Sequence, residues 1–235
     1  MTTDQSTATR PLPTTSLRKT ALIAGLLYLL TFVSIPTLAL YGSVHDPNYI
    51  IGPGSNSPVL VGGVLEVIVA LAGIGTAVVL FPVLKRQNEG VALGLVGSRV
   101  LEAAGILAGV ACLLTIVSLR EAGAGNGALV TGQALVALYD RINLLSQSLM
   151  PAVNDLLLGY LLYKSRLVPR VLPVLAFIGA PLLLVSDAAV LFGVVERVSV
   201  LPAIAVLPVA LFEFSLGVYL TVKGFKPSPI TADMV

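Results

Sequence analysis

The sequence predicts an all-α, polytopic membrane protein: a bundle of six transmembrane helices with both termini in the cytoplasm. Three observations carry this. Hydrophobic residues make up 56% of the chain and charged residues 11%, with a mean hydropathy of +0.96, far from the composition of water-soluble domains. Apolar stretches near the ~20 residues needed to cross a bilayer core recur along the chain. The basic residues alternate between the two sides of those stretches.

The stretches run over residues 21–41, 59–84, 91–119, 138–163, 171–192 and 200–222. If the N-terminus is cytoplasmic, Arg10, Arg18, Lys19, Lys85, Arg86, Lys164, Arg166, Arg170, Lys223 and Lys226 all fall inside. Only Arg120 and Arg197 then fall outside, with Arg99 and Arg141 in the membrane or at its edge, and this bias fixes the orientation. Arg18 and Lys19 ahead of an apolar stretch also resemble the start of a signal peptide. No A-x-A cleavage site follows, so the stretch is read as a retained span.

Residues 1–17, rich in Thr, Ser and Pro, read as a disordered cytoplasmic tail. Residues 18–226 form one six-helix domain and 227–235 a short cytoplasmic C-terminal tail. The longest loop, YGSVHDPNYIIGPGSNSP at 41–58, is dense in turn formers and folds over the outer face. EAGAGNGA is a second outer loop, and the apolar segment 129–139 either extends the fourth helix or lies along the outer interface.

Several function classes drop out. The single histidine, His45, removes most transition-metal and histidine-based schemes and reads as a loop-surface residue. The single cysteine, Cys112, sits in an apolar run and can form no disulfide within the chain. A net charge of +2 spread over short loops does not suit nucleic acid. No nucleotide, redox or H-E-x-x-H motif occurs, so neither a cofactor nor a resident metal is expected. The partners expected are the lipid bilayer and a small-molecule or cation ligand; no protein partner can be named.

The informative residues are the charges inside the spans: Glu66, Arg99, Glu102, Asp155, Asp187 and Glu213. At about 2.5–3.5 kcal/mol each at mid-helix, exposing all of them to lipid would cost on the order of 15–20 kcal/mol, so they must face protein or water. Helical rise places Glu66 and Asp187 in the outer half, with Asp140 and Arg141 as an interfacial pair. Arg99, Glu102, Asp155 and Glu213 run from the midplane to the inner half.

Small residues accompany these charges at helical spacing. Gly62, Glu66, Ala70 and Gly73 share one face, as do Gly94, Ser98, Glu102, Gly105 and Gly109, which turns both glutamates toward other helices. On the fourth span Asn143, Gln147, Pro151 and Asn154 form a polar stripe with Asp155 beside it. Pro151 lacks the N–H for the carbonyl of Gln147 and predicts a kink.

Arg99 therefore stands alone among five acids. It can pair with Glu102 at i+3, or with Asp155 or Glu213 from another helix. The remaining acids must be protonated, hydrated or neutralised by a bound cation. Glu66, Arg99, Glu102, Asn154, Asp155, Asp187 and Glu213 are accordingly the candidates for a ligand or proton/cation site, supported by Asn143 and Gln147. Catalytic residues cannot be assigned.

ALIAGLLYLLTFVSIPTLALYG, VLKRQNEGVALGLVGSRVLEAAG, LLYKSRLVPRVLPVLAFIGA and LPVALFEFSLGVYLTVKGF together resemble a bacterial multi-span membrane family, domain of unknown function 4386. The likeness covers roughly residues 17–225; its clearest marks are R-x-x-E on the third span, S-R-L-V-P-R in an inner loop and E-x-S-L-G before K-G-F. The resemblance implies a bacterial cytoplasmic membrane and one multi-span domain, but no activity.

Three functions fit. The first is a small-ligand or cation/proton-linked binding or transport protein with a polar intramembrane cavity. The second is a non-catalytic membrane scaffold or sensor in which the acids act as polar glue. The third, weaker for want of a motif, is an intramembrane enzyme using carboxylates.

Overall fold

In a computed structural model that describes residues 14–234, every regular element among the described residues is helical. The first 13 residues of the expected N-terminal tail lie outside the described residues, and the first helix begins at Thr14.

The α-helices are α1 (Thr14–Thr31), α2 (Thr37–Leu40), α3 (Ser57–Leu84), α4 (Glu89–Glu121), α5 (Leu129–Asn143), α6 (Met150–Ser165), α7 (Val171–Leu191) and α8 (Val200–Val222). Five stretches are long and apolar enough to cross a membrane: Ser16–Leu40, Ser57–Leu84, Glu89–Glu121, Val171–Leu191 and Val200–Val222. The sixth expected stretch is divided between α5 and α6 by a π-helical turn, Leu144–Leu149, and the three segments of 15, 6 and 16 residues follow one another without a break. Segment 129–139 thus extends the fourth helix.

Local chemistry sets the helix ends. The Asn88 side chain accepts from the Val91 amide at 3.0 Å and caps the start of α4. Arg166, at φ 59° in the left-handed region, ends α6. Arg18 on α1 donates to the carbonyl of Leu220 at 3.0 Å and to that of Thr221 at 2.7 Å, placing a cation on the C-terminal end of α8.

The helices pack in the order α1, α3, α4, α5/α6, α7 and α8, and α8 closes the ring on α1. Glycines permit the close crossings. A Cβ at Gly25 on α1 would lie 2.7 Å from the Gly217 carbonyl oxygen of α8, and one at Gly179 on α7 would lie 2.8 Å from the Val209 amide nitrogen.

The start of α1 and the segment after α8 lie at one end of this ring, where the C-terminal segment meets the α6/α7 turn through Lys226 N–H to Leu167 O at 2.8 Å. At the opposite end, loop 41–58 is held by Arg120, which donates to Asn56 Oδ1 at 2.8 Å, to the Gly52 carbonyl at 2.8 Å and to the Gly54 carbonyl at 2.9 Å. We call these the terminal end and the loop end.

The terminal half is filled by an apolar core that includes Tyr28, Leu80, Leu95, Leu158, Phe212 and Leu216. Leu95, Leu158 and Leu216 stand about one turn toward the terminal end from Arg99, Asp155 and Glu213 respectively. The polar layer therefore rests on a packed apolar plug.

The first apolar stretch is the irregular one. α1 ends at Thr31, a 3-10 turn covers Phe32–Ser34, and Pro36 precedes the single turn of α2. Proline lacks the N–H that would continue the ladder, which accounts for the break.

Candidate functional site

Arg99 sits at the centre of the ring and is 3% exposed. Its guanidinium holds Glu102 at 2.9 Å through Nη1 and Glu213 of α8 at 2.7 Å through Nη2. It thus joins two acids of the three that sequence reasoning offered as alternatives. Tyr28 of α1 covers the group, with the guanidinium carbon 5.6 Å from its ring centroid. The Asn154 amide donates to Glu102 Oε2 at 2.7 Å, while Ser98 donates to the Asn154 amide oxygen, tying α6 to α4.

Asp155, the third acid, is fully buried within electrostatic reach of Glu213, Arg99 and Glu102, yet neither of its oxygens has a hydrogen-bond partner. Arg99 Nε is likewise buried and unpaired. Three acids around one base leave surplus negative charge, which a proton or a cation must meet.

A second cluster forms nearer the loop end around the π turn. Glu66 Oε1 accepts from Gln147 Nε2 at 3.1 Å and from the Tyr139 hydroxyl at 3.2 Å. Asp187 Oδ1 accepts from the Ser148 hydroxyl at 2.5 Å. Asp187 Oδ2 is buried without a partner, and the buried Glu66 Oε2 and Tyr41 hydroxyl have no partner other than each other.

The wide turn explains how neighbouring residues serve different helices. Gln147 reaches α3, Ser148 reaches α7, and Ser146 lies against Gly105 of α4, where an added Cβ would come within 2.4 Å of the Ser146 Cβ. The expected kink at Pro151 therefore takes the form of a π turn just before the proline. Such turns relax the backbone ladder and recur at functional sites.

Two cavities adjoin along the broken first stretch and share part of their lining. The deep chamber, about 190 Å³, is lined by Arg99, Glu102 and Glu213 together with Thr31 and Phe32 at the break in the first apolar stretch. The mouth chamber, about 440 Å³, is lined by Tyr41, Tyr139, Asn143, Ser148, Asp187 and the loop residues His45 and Arg197. Ser34, Ile35, Gln147 and Val206 line both.

At the mouth, Asp140 binds His45 Nε2 at 3.2 Å and Arg197 Nη2 at 3.3 Å. This corrects the expected pairing with Arg141, which as the next residue on the helix points about 100° away. His45 Nδ1 also meets the Tyr41 carbonyl at 2.9 Å. Both partners are acceptors, so the imidazole satisfies both only when protonated. The hydrogen bond to Asp140 accordingly raises the His45 pKa above its ordinary value, against the opposing effect of its partial burial.

The sequence-selected residues thus divide into two groups. Arg99, Glu102, Asn154, Asp155 and Glu213 come together around the guanidinium, and of these Arg99, Glu102 and Glu213 line the deep chamber; Glu66, Asp187, Asn143 and Gln147 gather at the mouth and π turn. Asn143 accepts from Arg197 at 2.7 Å. Missing from the sequence selection were Tyr28, Tyr41, Tyr139, Ser148 and Arg197. The tyrosines read as apolar fill, and Ser148 falls off the polar stripe when a regular helical period is assumed. No group of three or more His, Cys, Asp or Glu among the described residues is placed to hold a metal.

A ring of apolar helices with its charges turned inward around a polar interior is the architecture of an integral membrane protein, because lipid accepts such charges only at high cost. Residues 23–224 match the family described as Domain of unknown function (DUF4386), and the chain belongs to it. No curated protein and no solved structure matches the chain.

Proposed function

We propose that the chain is a six-span protein of the bacterial cytoplasmic membrane, with both termini cytoplasmic, that binds a small ligand or cation in its interior and couples this to proton or cation movement. The sixth span is the continuous run of α5, π turn and α6. The observation that carries the reading is the pair of adjoining chambers at the broken first stretch. Non-helical backbone at membrane depth is tolerated where it is buried in protein or lines a water-filled cavity, and here it lines the chambers.

In this reading the loop end is open to the outside and the apolar plug closes the cytoplasmic side. Asp155, beside the Arg99 ion pairs and without a partner of its own, is the group that takes and releases the proton or cation. The Arg99 side chain holds Glu102 and Glu213 in place as the floor of the deep chamber.

A C112A background leaves a chain without cysteine, in which V206C and L80C can be compared. A membrane-impermeant maleimide added to the outer face should label V206C, at the junction of the chambers, and leave L80C, in the plug, unreacted. An unreactive V206C overturns the reading. Proton flux in proteoliposomes, lowered by D155N, separates transport from binding alone.

A static scaffold or sensor is the second reading, and the Arg99 network favours it, since Glu102, Asn154 and Ser98 are all engaged in it. Under that reading V206C stays unlabelled in the membrane.

A further inference from the structure

We infer that the mouth chamber is a binding site for an organic ammonium ion with an apolar body, its charge met by Asp187 and its second polar contact made by the Tyr41 hydroxyl. The inference rests on the proposal above that the interior admits a ligand from the loop end. It adds the chemical class of that ligand.

The argument starts from which groups around the chamber are already engaged. Arg197 is bound to Asn143 at 2.7 Å and to Asp140 at 3.3 Å, and His45 is held between Asp140 and the Tyr41 carbonyl. Gln147 donates to Glu66, and Ser148 donates to Asp187 Oδ1. The Ser34, Thr37 and Ser199 hydroxyls donate to backbone carbonyls. What remains is Asp187 Oδ2, without a partner, and the Tyr41 hydroxyl, which lies beside Glu66 and keeps its oxygen free to accept; both residues line the chamber and are only 5% and 3% exposed. The chamber therefore offers unfilled acceptors and one carboxylate charge.

That complement selects the ligand. An anion would approach Asp187 with no free base to receive it, because both nearby cations are committed to Asp140. A hard metal ion seeks about six oxygen ligands, with carboxylates prominent among them, whereas Asp187 is the one carboxylate among the lining residues. An ammonium group needs only two or three acceptors for its N–H donors. It also suits a chamber in which Tyr41 and Tyr139 meet edge to face at 5.6 Å, since tyrosine rings attract cations.

The rest of the lining sets the body of the ligand. Ile35, Leu38, Val190 and Val206 are aliphatic, and about 440 Å³ is within the range of small-molecule clefts. A short alkyl or aryl amine matches this aliphatic part of the lining and its carboxylate.

The test uses the full-length C112A/V206C protein in lipid nanodiscs, with labelling of V206C by a neutral maleimide as the readout. Two probes, 2-phenylethylammonium and n-hexylammonium, are compared with 2-phenylethanol, n-hexanol and Na⁺. Either ammonium at saturation should slow labelling about tenfold, equivalent to roughly 1.4 kcal/mol of protection, while the alcohols and Na⁺ do not. D187N should abolish the protection. Y41F, which keeps the ring and removes only the hydroxyl, should weaken it, and G97A, at a site with no atom within 4 Å of the added Cβ, should leave it intact.

Equal slowing by the alcohols means the chamber is merely filled by apolar bulk and overturns the inference. Slowing by Na⁺ alone overturns it in favour of an inorganic cation. If V206C reacts readily but neither ammonium protects it, the ammonium assignment fails while the hydrated cavity stands. If V206C does not react at all, the underlying functional proposal fails as well. Protection that persists in D187N at the parental concentration also overturns the assignment, because the carboxylate charge is its centre.

Discussion

Replacing Arg99 by methionine tests the central claim about the polar layer. The substitution keeps the bulk of the chain and removes the guanidinium that binds Glu102 at 2.9 Å and Glu213 at 2.7 Å. Losing one partner of a buried pair costs about 3–5 kcal/mol, because the other is left charged in a medium that solvates it poorly. Two acids are orphaned here, but the losses do not simply double. Glu102 keeps the Asn154 amide at 2.7 Å, and Glu213 lines the deep chamber with 15% of its side chain exposed. R99M should therefore lose about 3–5 kcal/mol of stability. E213Q alone should lose less, about 1.5–3 kcal/mol, since the guanidinium keeps Glu102. The triple variant R99M/E102Q/E213Q removes both stranded charges and should recover most of the loss. Unfolding by increasing SDS in mixed micelles, followed by far-UV circular dichroism, measures all three. If R99M falls within about 1 kcal/mol of the parent, or if the triple variant is no more stable than R99M, Arg99 does not hold a buried pair of carboxylates.

Three further outcomes follow from the same geometry. G105A places a Cβ 2.4 Å from that of Ser146, an atom next to the backbone that cannot swing aside, and should destabilise by about 1–3 kcal/mol; G97A, in open space, should gain about 0.5–1 kcal/mol in the same SDS titration. Q147L leaves Glu66 with the Tyr139 hydroxyl at 3.2 Å and the neighbouring Tyr41 hydroxyl, and should lose about 1–3 kcal/mol, part of which E66Q restores. For the mouth, a raised His45 pKa means that protonated His45 stabilises the loop fully below the ordinary imidazole range, and that this is lost as pH rises through the raised value. The groups facing His45 are Asp140, which favours its charge, and Arg197, which opposes it. Amide exchange across residues 42–50, corrected for intrinsic rate and followed from about pH 5 to about pH 9, should show loosening as pH rises in the parent and no such transition in H45N.

The helices were legible because burial in lipid demands long apolar runs, and that demand is written residue by residue. The clustering of Arg99 with Glu102 was legible for the same kind of reason: i+3 spacing on a helix fixes neighbours before any tertiary contact forms. Glu213 could be offered only as one of several partners, since depth along a helix does not say which face it turns. The π turn was not legible. Pro151 announces a disturbance, but whether it becomes a bend or a widened turn depends on what α3, α4 and α7 present to it. Arg197 escaped notice because its partners, Asp140 and Asn143, lie 57 and 54 residues away across a loop whose path no local pattern sets.

The position of the polar layer also constrains how the protein can move. Gly25 against Gly217, and Gly179 against the Pro208–Val209 backbone, bring α8 into close contact with α1 on one side and α7 on the other. α8 carries Glu213, and the guanidinium of Arg99 fastens that residue to α4 across the ring. A motion that opened the plug at Phe212 and Leu216 would carry Glu213 with it, since all three lie on two turns of the same helix. The Arg99–Glu213 contact would then have to break or be replaced, and the unpaired Asp155 carboxylate is the acid within electrostatic reach to replace it. Exchange of one acid for another on a single arginine leaves the ion-pair count unchanged, provided that the proton or cation that neutralised Asp155 passes to the released Glu213. That keeps the barrier to such a motion well below the cost of stranding a bare charge in the bundle.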